Sequence, residues 1–262
     1  MDASHFSGAQ CFQSDIFPIN WGTGASRDLR RMPLKATTAL APQLAKLSCI
    51  QHLDLSHNTM GFNGLRALGP HLAKLTSIQE LDVSFNHIGD SGLILLARHL
   101  ARLTSLHHLN LSCNQIYDHG IKLLGPHLAL LTSIQVLKVE INYIGDAGAK
   151  LLARYLPRLA SLQQLSLGAN PLGPSGIKSF APCLRPLRSI QHLDLSWNSM
   201  HGEGAESLGP RLAYLTCLQR LNLGANHICS NGVKSLGPYL AHLTAIQQRN
   251  LGCNNIGDDG IK

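Results

Sequence analysis

The chain has 262 residues, 44% apolar and only 14% charged, with a formal net charge of +7. That supplies ample material for a core, while no apolar run reaches the length of a membrane span. Seven cysteines without a CxxC pair argue against a zinc or redox centre and suggest reduced thiols.

Residues 1–35, including Phe6, Phe12, Phe17, Ile19 and Trp21, show neither helical nor strand periodicity. They are expected to form an irregular arm that partly covers the first repeat. The basic cluster Arg27, Arg30, Arg31 and Lys35 reads as a solvated linker rather than a nuclear address or a phosphate contact. The first twenty residues hold no apolar stretch of a secretory signal, so a cytoplasmic location is expected, with a host-translocated effector as the alternative.

Residues 36–49 carry Leu40, Leu44 and Leu47, and the last two match Leu72 and Leu75 one period later. A helix without a strand of its own is expected here, as a capping half-repeat that shields the end of a stack.

From Ile50 to Lys262 the chain rewrites one unit about eight times. An asparagine recurs at 58, 86, 114, 142, 170, 198, 226 and 254, and a glycine follows six residues after each. Fixed-period self-similarity is the signature of a solenoid. Within a unit such as Leu106, Leu109, Leu111, Asn114 and Ile116, alternating leucines predict a short strand with one buried face. Asparagine has two donors and an acceptor on a short arm, which suits a sharp inward turn away from water. Asn58, Asn86, Asn114, Asn142, Asn170, Asn198, Asn226 and Asn254 are therefore assigned a structural role.

After each glycine, spacings such as Leu65, Leu68, Leu72 and Leu75 define one apolar stripe on a helix. Asp90, Asp118, Asp146 and Asp258 stand where a carboxylate would cap that helix. Prolines 70, 126, 182, 210 and 238 share one helix column, which predicts bent or broken outer helices. A uniform column of Gln (51, 79, 135, 163, 191, 219, 247) suggests a structural hydrogen-bonding role. The last unit is degenerate, with Arg249 in a leucine column; the expectations for that uncapped end are a longer chain, a partner that covers it, including a second copy by self-association, or fraying.

These motifs resemble the leucine-rich repeats of the ribonuclease-inhibitor-like subclass, which is also found in NOD-like receptors and the Ran GTPase-activating protein. The resemblance spans about four fifths of the chain. It implies an α/β solenoid curved into a horseshoe, with a parallel sheet on the concave face and helices on the convex face.

Strand residues that alternate with the leucines then face the concavity. His52, Glu80 and His108 form one rung, beside Asp54, Asp82 and Asn110, because adjacent strands lie about 4.8 Å apart. His and carboxylates together suit general acid–base chemistry or zinc. His52 and His108 are two strands apart, however, so a solvated acidic surface for a protein partner is the preferred reading. Lys138, Glu140, His192, Asp194 and Arg220 continue it. Phe85 and Trp197, and Ile141 between them, stand at the strand exit just before an Asn, as apolar anchors or folded onto neighbouring repeats.

Basic residues collect on the outer helices: Arg66, Lys122, Lys150, Lys178 and Lys234 in one column, Lys74, Arg102 and Arg158 in another. They read as a solvated helix face. Nucleic acid is not expected as a partner, since interleaved stacking aromatics are lacking, and neither is a membrane, since no run approaches the length of a span. No nucleotide-binding P-loop, nucleophile elbow or metal-spaced cluster is present, so no cofactor, metal or catalytic residue is assigned. The expected function is non-enzymatic recognition of a protein partner by the concave face. The alternatives are a GTPase activator of the Ran-activator type and the sensor portion of a larger immune receptor or a secreted bacterial effector.

Overall fold

The computed structural model describes residues 26–31, 39, 41–44, 47, 49–257 and 260. Expectations for the phenylalanines and Trp21 of the arm, Leu40 and Asp258 fall outside these residues. Strands and helices alternate: β1 (Ser26–Asp28), β2 (His52–Asp54), α1 (Gly61–Leu72), β3 (Glu80–Asp82), α2 (Gly89–Leu100), β4 (His108–Asn110) and α3 (Asp118–Leu128). Then follow β5 (Val136–Lys138), α4 (Asp146–Tyr155), β6 (Gln164–Ser166), α5 (Pro174–Phe180), β7 (His192–Asp194), α6 (His201–Leu212), β8 (Arg220–Asn222), α7 (Cys229–Leu240) and β9 (Gln248–Asn250).

All nine strands form one parallel sheet in chain order. Register is uniform, with Leu53 opposite Leu81, Leu81 opposite Leu109, and so on to Leu221 opposite Arg249. Each strand has only three residues, yet the ladder runs past it: Leu55 N–H donates to Asp82 O and His57 N–H to Ser84 O. One leucine spine, including Leu53, Leu81, Leu109, Leu137 and Leu165, is sealed from solvent together with the helix stripe Leu65, Leu68 and Leu72. Burying a leucine side chain contributes roughly 1.5–3 kcal/mol. Stacking supplies what a three-residue strand lacks.

The sheet begins one strand earlier than the pattern predicts. Arg27-Asp28-Leu29 takes the place of Leu53-Asp54-Leu55, and Arg27 pairs with Leu53 in register. Leu29 is buried and its carbonyl accepts from Asn58 Nδ2. An arginine in the spine position is what hides the repeat. The strand lies in the segment expected to be irregular, and the helical residues 41–44 that follow it therefore do have a strand before them.

Asparagines line up as a ladder. Asn114 Nδ2 donates to the carbonyls of Val83, Leu111 and Ser112, at 2.9, 3.1 and 3.1 Å. Its Oδ1 accepts from Asn86 N–H, one repeat back, at 3.0 Å. The Gln column works differently from the expectation. Its main chain carries the bonds, as where Gln79 and Glu80 N–H both donate to Gln51 O.

The aspartates do not cap their own helices. Asp90, Asp118 and Asp146 accept instead from the backbone N–H of Tyr117, Gly145 and Gly173 in the next repeat, at 2.8, 2.7 and 2.7 Å. These three donors immediately precede α3, α4 and α5, so each carboxylate braces the start of the following helix. The repeat glycine makes room for this brace. A Cβ on Gly120, Gly148 or Gly176 would lie 2.4 Å from the carboxylate oxygen.

Proline does not break most of the outer helices. Pro70, Pro126, Pro210 and Pro238 sit inside α1, α3, α6 and α7, and α1 matches the twelve residues of proline-free α2. Each of the four follows a glycine, and the clash that proline imposes falls largely on the preceding Cβ. The bond Pro70 cannot donate would have gone to Arg66, on the solvent side, where the freed carbonyl is open to water. Pro182 follows Ala181, and there the α-helix stops at Phe180 and tightens into a 3-10 turn, Ala181–Leu184.

Candidate recognition face

The sheet sets its polar side chains in two columns on the concave floor. In the first, Glu80 bridges its neighbours: His52 Nδ1 lies 2.8 Å from Oε2 and His108 Nδ1 3.2 Å from Oε1. Both histidines thus converge on one carboxylate despite being two strands apart, each taking one oxygen. Among the described residues no group of three His, Cys, Asp or Glu is arranged to hold a metal.

In the second column, one oxygen of each Asp and Asn side chain is taken by the fold. Asp54, Asp82 and Asp194 Oδ1 accept from Ser56, Ser84 and Ser196 N–H, at 2.9, 2.8 and 2.8 Å, and Asn110 Oδ1 from Ser112 N–H at 3.1 Å. Such Asx turns start the chain bending towards the ladder asparagine. The other terminal atom, Oδ2 of Asp or Nδ2 of Asn, faces sideways. Asn110 Nδ2 donates to Asp82 Oδ2 at 2.8 Å, Asn222 Nδ2 to Asp194 Oδ2 at 2.9 Å, and Arg30 Nε lies 3.5 Å from Asp54 Oδ2. Arg30 therefore belongs to the edge of this surface, ion-paired with Asp28 as well, and is not a linker residue. Its guanidinium holds the Asp28 carboxyl down at about 2.

The predicted floor residues other than Glu140 fall into two open depressions. The first, about 330 Å³, is lined by His52, Asp54, Glu80, Asp82, His108, Asn110 and Lys138, with Arg27 and Asp28 added by β1. The second, about 310 Å³, is lined by His192, Asp194 and Arg220 among others. Burial, with Arg220 nearby, pulls His192 below the usual imidazole value. Glu140 lies between the depressions, half-buried, and desolvation followed by the charge of Asp194 raises its carboxyl above the ordinary range.

The rim column is made by the backbone. His57, Phe85, Cys113, Ile141, Ala169, Trp197, Ala225 and Cys253 all adopt a left-handed conformation, with φ between 52° and 56°. Turning Asn inward obliges the residue before it to take this geometry, which turns its side chain out of the core. Phe85, Ile141 and Trp197 are 44%, 55% and 71% exposed. Phe85 leans on His57, the rings stacked at 4.2 Å, whereas Trp197 has no ring partner among the described residues. Bulk alternates with small Cys113, Ala169 and Ala225, so the three large side chains stand about 10 Å apart at twice the strand spacing.

Sequence reasoning missed Tyr117 and Tyr143, an exposed stacked pair at 4.8 Å just beyond the rim. The available signal was a tyrosine at 117 where most other repeats have glycine. It also missed Asp28 and Arg30 as part of this surface, because Arg27 stands where the spine has leucine.

The structure and sequence were compared with known proteins. A family model described as Leucine Rich repeat matches residues 46–69, 74–97, 102–125, 187–209, 214–237 and 250–262, just over half of the chain. No curated protein matches. Among solved structures the fold is similar to internalin C2 from Listeria monocytogenes, with a TM-score of 0.57 and 23% identity over 87% of this chain and 80% of that one. It is also similar to the Arabidopsis receptor kinase HAESA, solved with the peptide hormone IDA and the co-receptor SERK1, with a TM-score of 0.55 and 16% identity over 90% of this chain and 37% of that one. At such identities the likeness concerns the fold alone, but the repeats, their register and the family match agree: the chain belongs to the leucine-rich-repeat family.

Proposed function

We propose that the chain is a non-enzymatic recognition module that binds a protein partner across its concave floor and the adjoining rim. The observation that carries this reading is the rim itself. Large apolar side chains are held outward by a backbone conformation that disfavours them, next to a floor of carboxylates. A rigid sheet fixes both sets in advance, so little conformational entropy is lost on binding. Asp54, Glu80 and Asp82 suit basic groups on the partner, while Phe85, Ile141 and Trp197 suit apolar ones. The family to which the chain belongs, and a structural neighbour solved with a peptide and a co-receptor, support a binding role. The test compares capture of a partner from native lysate by wild type, Trp197→Ala and Asp82→Lys. Trp197→Ala is expected to weaken capture at least tenfold, the ~2 kcal/mol of a buried anchor. Its melting temperature should stay close to wild type, as for other surface substitutions. Undiminished capture by both variants would show that the partner binds elsewhere.

A further inference from the structure

Charge on the outer surface is sorted more sharply than a solvated helix face requires. The stretches that close each helix and turn back to the next strand are 70–79, 98–107, 126–135, 154–163, 182–191, 210–219 and 238–247. They contain no Asp or Glu. They do contain Arg98, Arg102, Arg154, Arg158, Arg185 and Arg188, all exposed and none ion-paired among the described residues. Because the strands are parallel and in register, these turns lie side by side along one flank. Arg185 shows the adjacency directly, with its guanidinium carbon 5.2 Å from the centre of the Tyr214 ring in the next repeat. Among the described residues the acids lie elsewhere, on the concave floor, on the helix-start flank and on the outward side of α6.

Helix dipoles account for part of this. Arg98 and Arg154 occupy last turns, where a cation is favourable. Arg102 and Arg188 lie past the helix ends, so the dipole does not call for them. Arginine also predominates on this flank, whereas the outward column is mostly lysine, and the guanidinium fork suits phosphate better than an ammonium does. Two exposed apolar side chains, Leu130 and Tyr214, share the turn position of Arg102 and Arg158; Leu130 is 55% exposed.

We infer that this flank docks on an anionic phospholipid surface, independently of the concave face. The curvature of a horseshoe lies in its own plane, so its flank is flat, as a bilayer is. Leu130 and Tyr214 then reach the interfacial zone while the arginines meet headgroup phosphates. Among the described residues no helix is long and apolar enough to cross a membrane; the contact is with the lipid surface, made by exposed turns. A nucleic acid is the less favoured polyanion, because it rewards free stacking rings. The exposed ring here already lies under Arg185, and an exposed leucine gains nothing from a phosphodiester backbone. The expectation of no membrane partner rested on the lack of a spanning segment and on the outer charges taken as evenly solvated. The segregation of acids removes the second ground.

The experiment is flotation of the full chain with vesicles of phosphatidylcholine alone or mixed with phosphatidylserine. Binding is expected only to the mixed vesicles, and it should fall with added salt. The triple variant Arg102→Gln, Arg158→Gln, Arg188→Gln should lose on the order of a hundredfold, at about fivefold per basic residue. A second triple, Lys122→Gln, Lys150→Gln, Lys178→Gln, removes the same charge from the outward column and should bind nearly as wild type. Equal losses in the two triples would reduce the effect to net charge and overturn the assignment. So would absence of flotation, or tight binding of an RNA or DNA oligonucleotide without vesicle binding. Far-ultraviolet circular dichroism and thermal melting verify that both triples are folded.

Discussion

Ile141 is a β-branched residue at φ 53°, a conformation that costs an L-residue roughly 1–2 kcal/mol and that Asn tolerates better. More than half exposed, it gains little burial in return. Ile141→Asn is therefore expected to stabilise the chain by about 1 kcal/mol in urea unfolding, while weakening partner capture. A destabilised variant would mean that the isoleucine is held by packing not evident from its exposure. The same residue shows what a sequence conveys at this scale. That the column before each Asn lies at the strand exit followed from spacing alone. That it is left-handed did not, because Phe, Ile and Trp are poor predictors of positive φ, and only the buried ladder forces it. Asp54, Asp82 and Asp194 teach a similar lesson. Their type suggested a free acidic surface, yet half of each carboxylate is spent on a turn.

Helix α3 contains Gly125-Pro126 and α7 contains Gly237-Pro238. In both, glycine relieves the proline clash, but Gly125 has a second duty. A Cβ there would lie 2.3 Å from the Tyr155 ring of the next repeat, whereas one on Gly237 would meet nothing within 4 Å. Gly125→Ala should therefore destabilise by about 2 kcal/mol more than Gly237→Ala, the usual scale of core overpacking, as measured by chemical denaturation. Equal effects would mean that the ring swings aside freely. Strand and helix periods were legible from the leucines. The continuity of the helices through proline was not, since proline taken alone carries a strong breaking signal. The preceding glycine was visible in the sequence, and it belongs to the same dipeptide as the proline.

Across the whole molecule, each repeat packs mainly on its neighbours, so protection should depend on position in the stack. Strand β5 has a buried leucine and a paired strand on both sides, while β9 is exposed along its length and carries Arg249 where the spine has leucine. Hydrogen exchange is expected to be slowest in β4 to β6 and fastest in β9, graded between them. A flat profile would indicate one all-or-none unit. At this scale the solenoid was the most legible feature, because eight copies in register reinforce one another. The first strand was the least legible, because a single arginine replaces the residue that announces the others.

The alternation of bulky and small side chains along the rim also makes the number of modules a ruler. Excising one 28-residue module, the one containing Cys113, would leave hydrogen bonding and hydrophobic spine continuous but bring Phe85 beside Ile141, closing the gap between two teeth of the comb. Excising the next module as well would set Phe85 beside Ala169 and restore the original rhythm with one tooth fewer. Changes of binding preference in such a chain can therefore come from counting modules, with no new side chain at all.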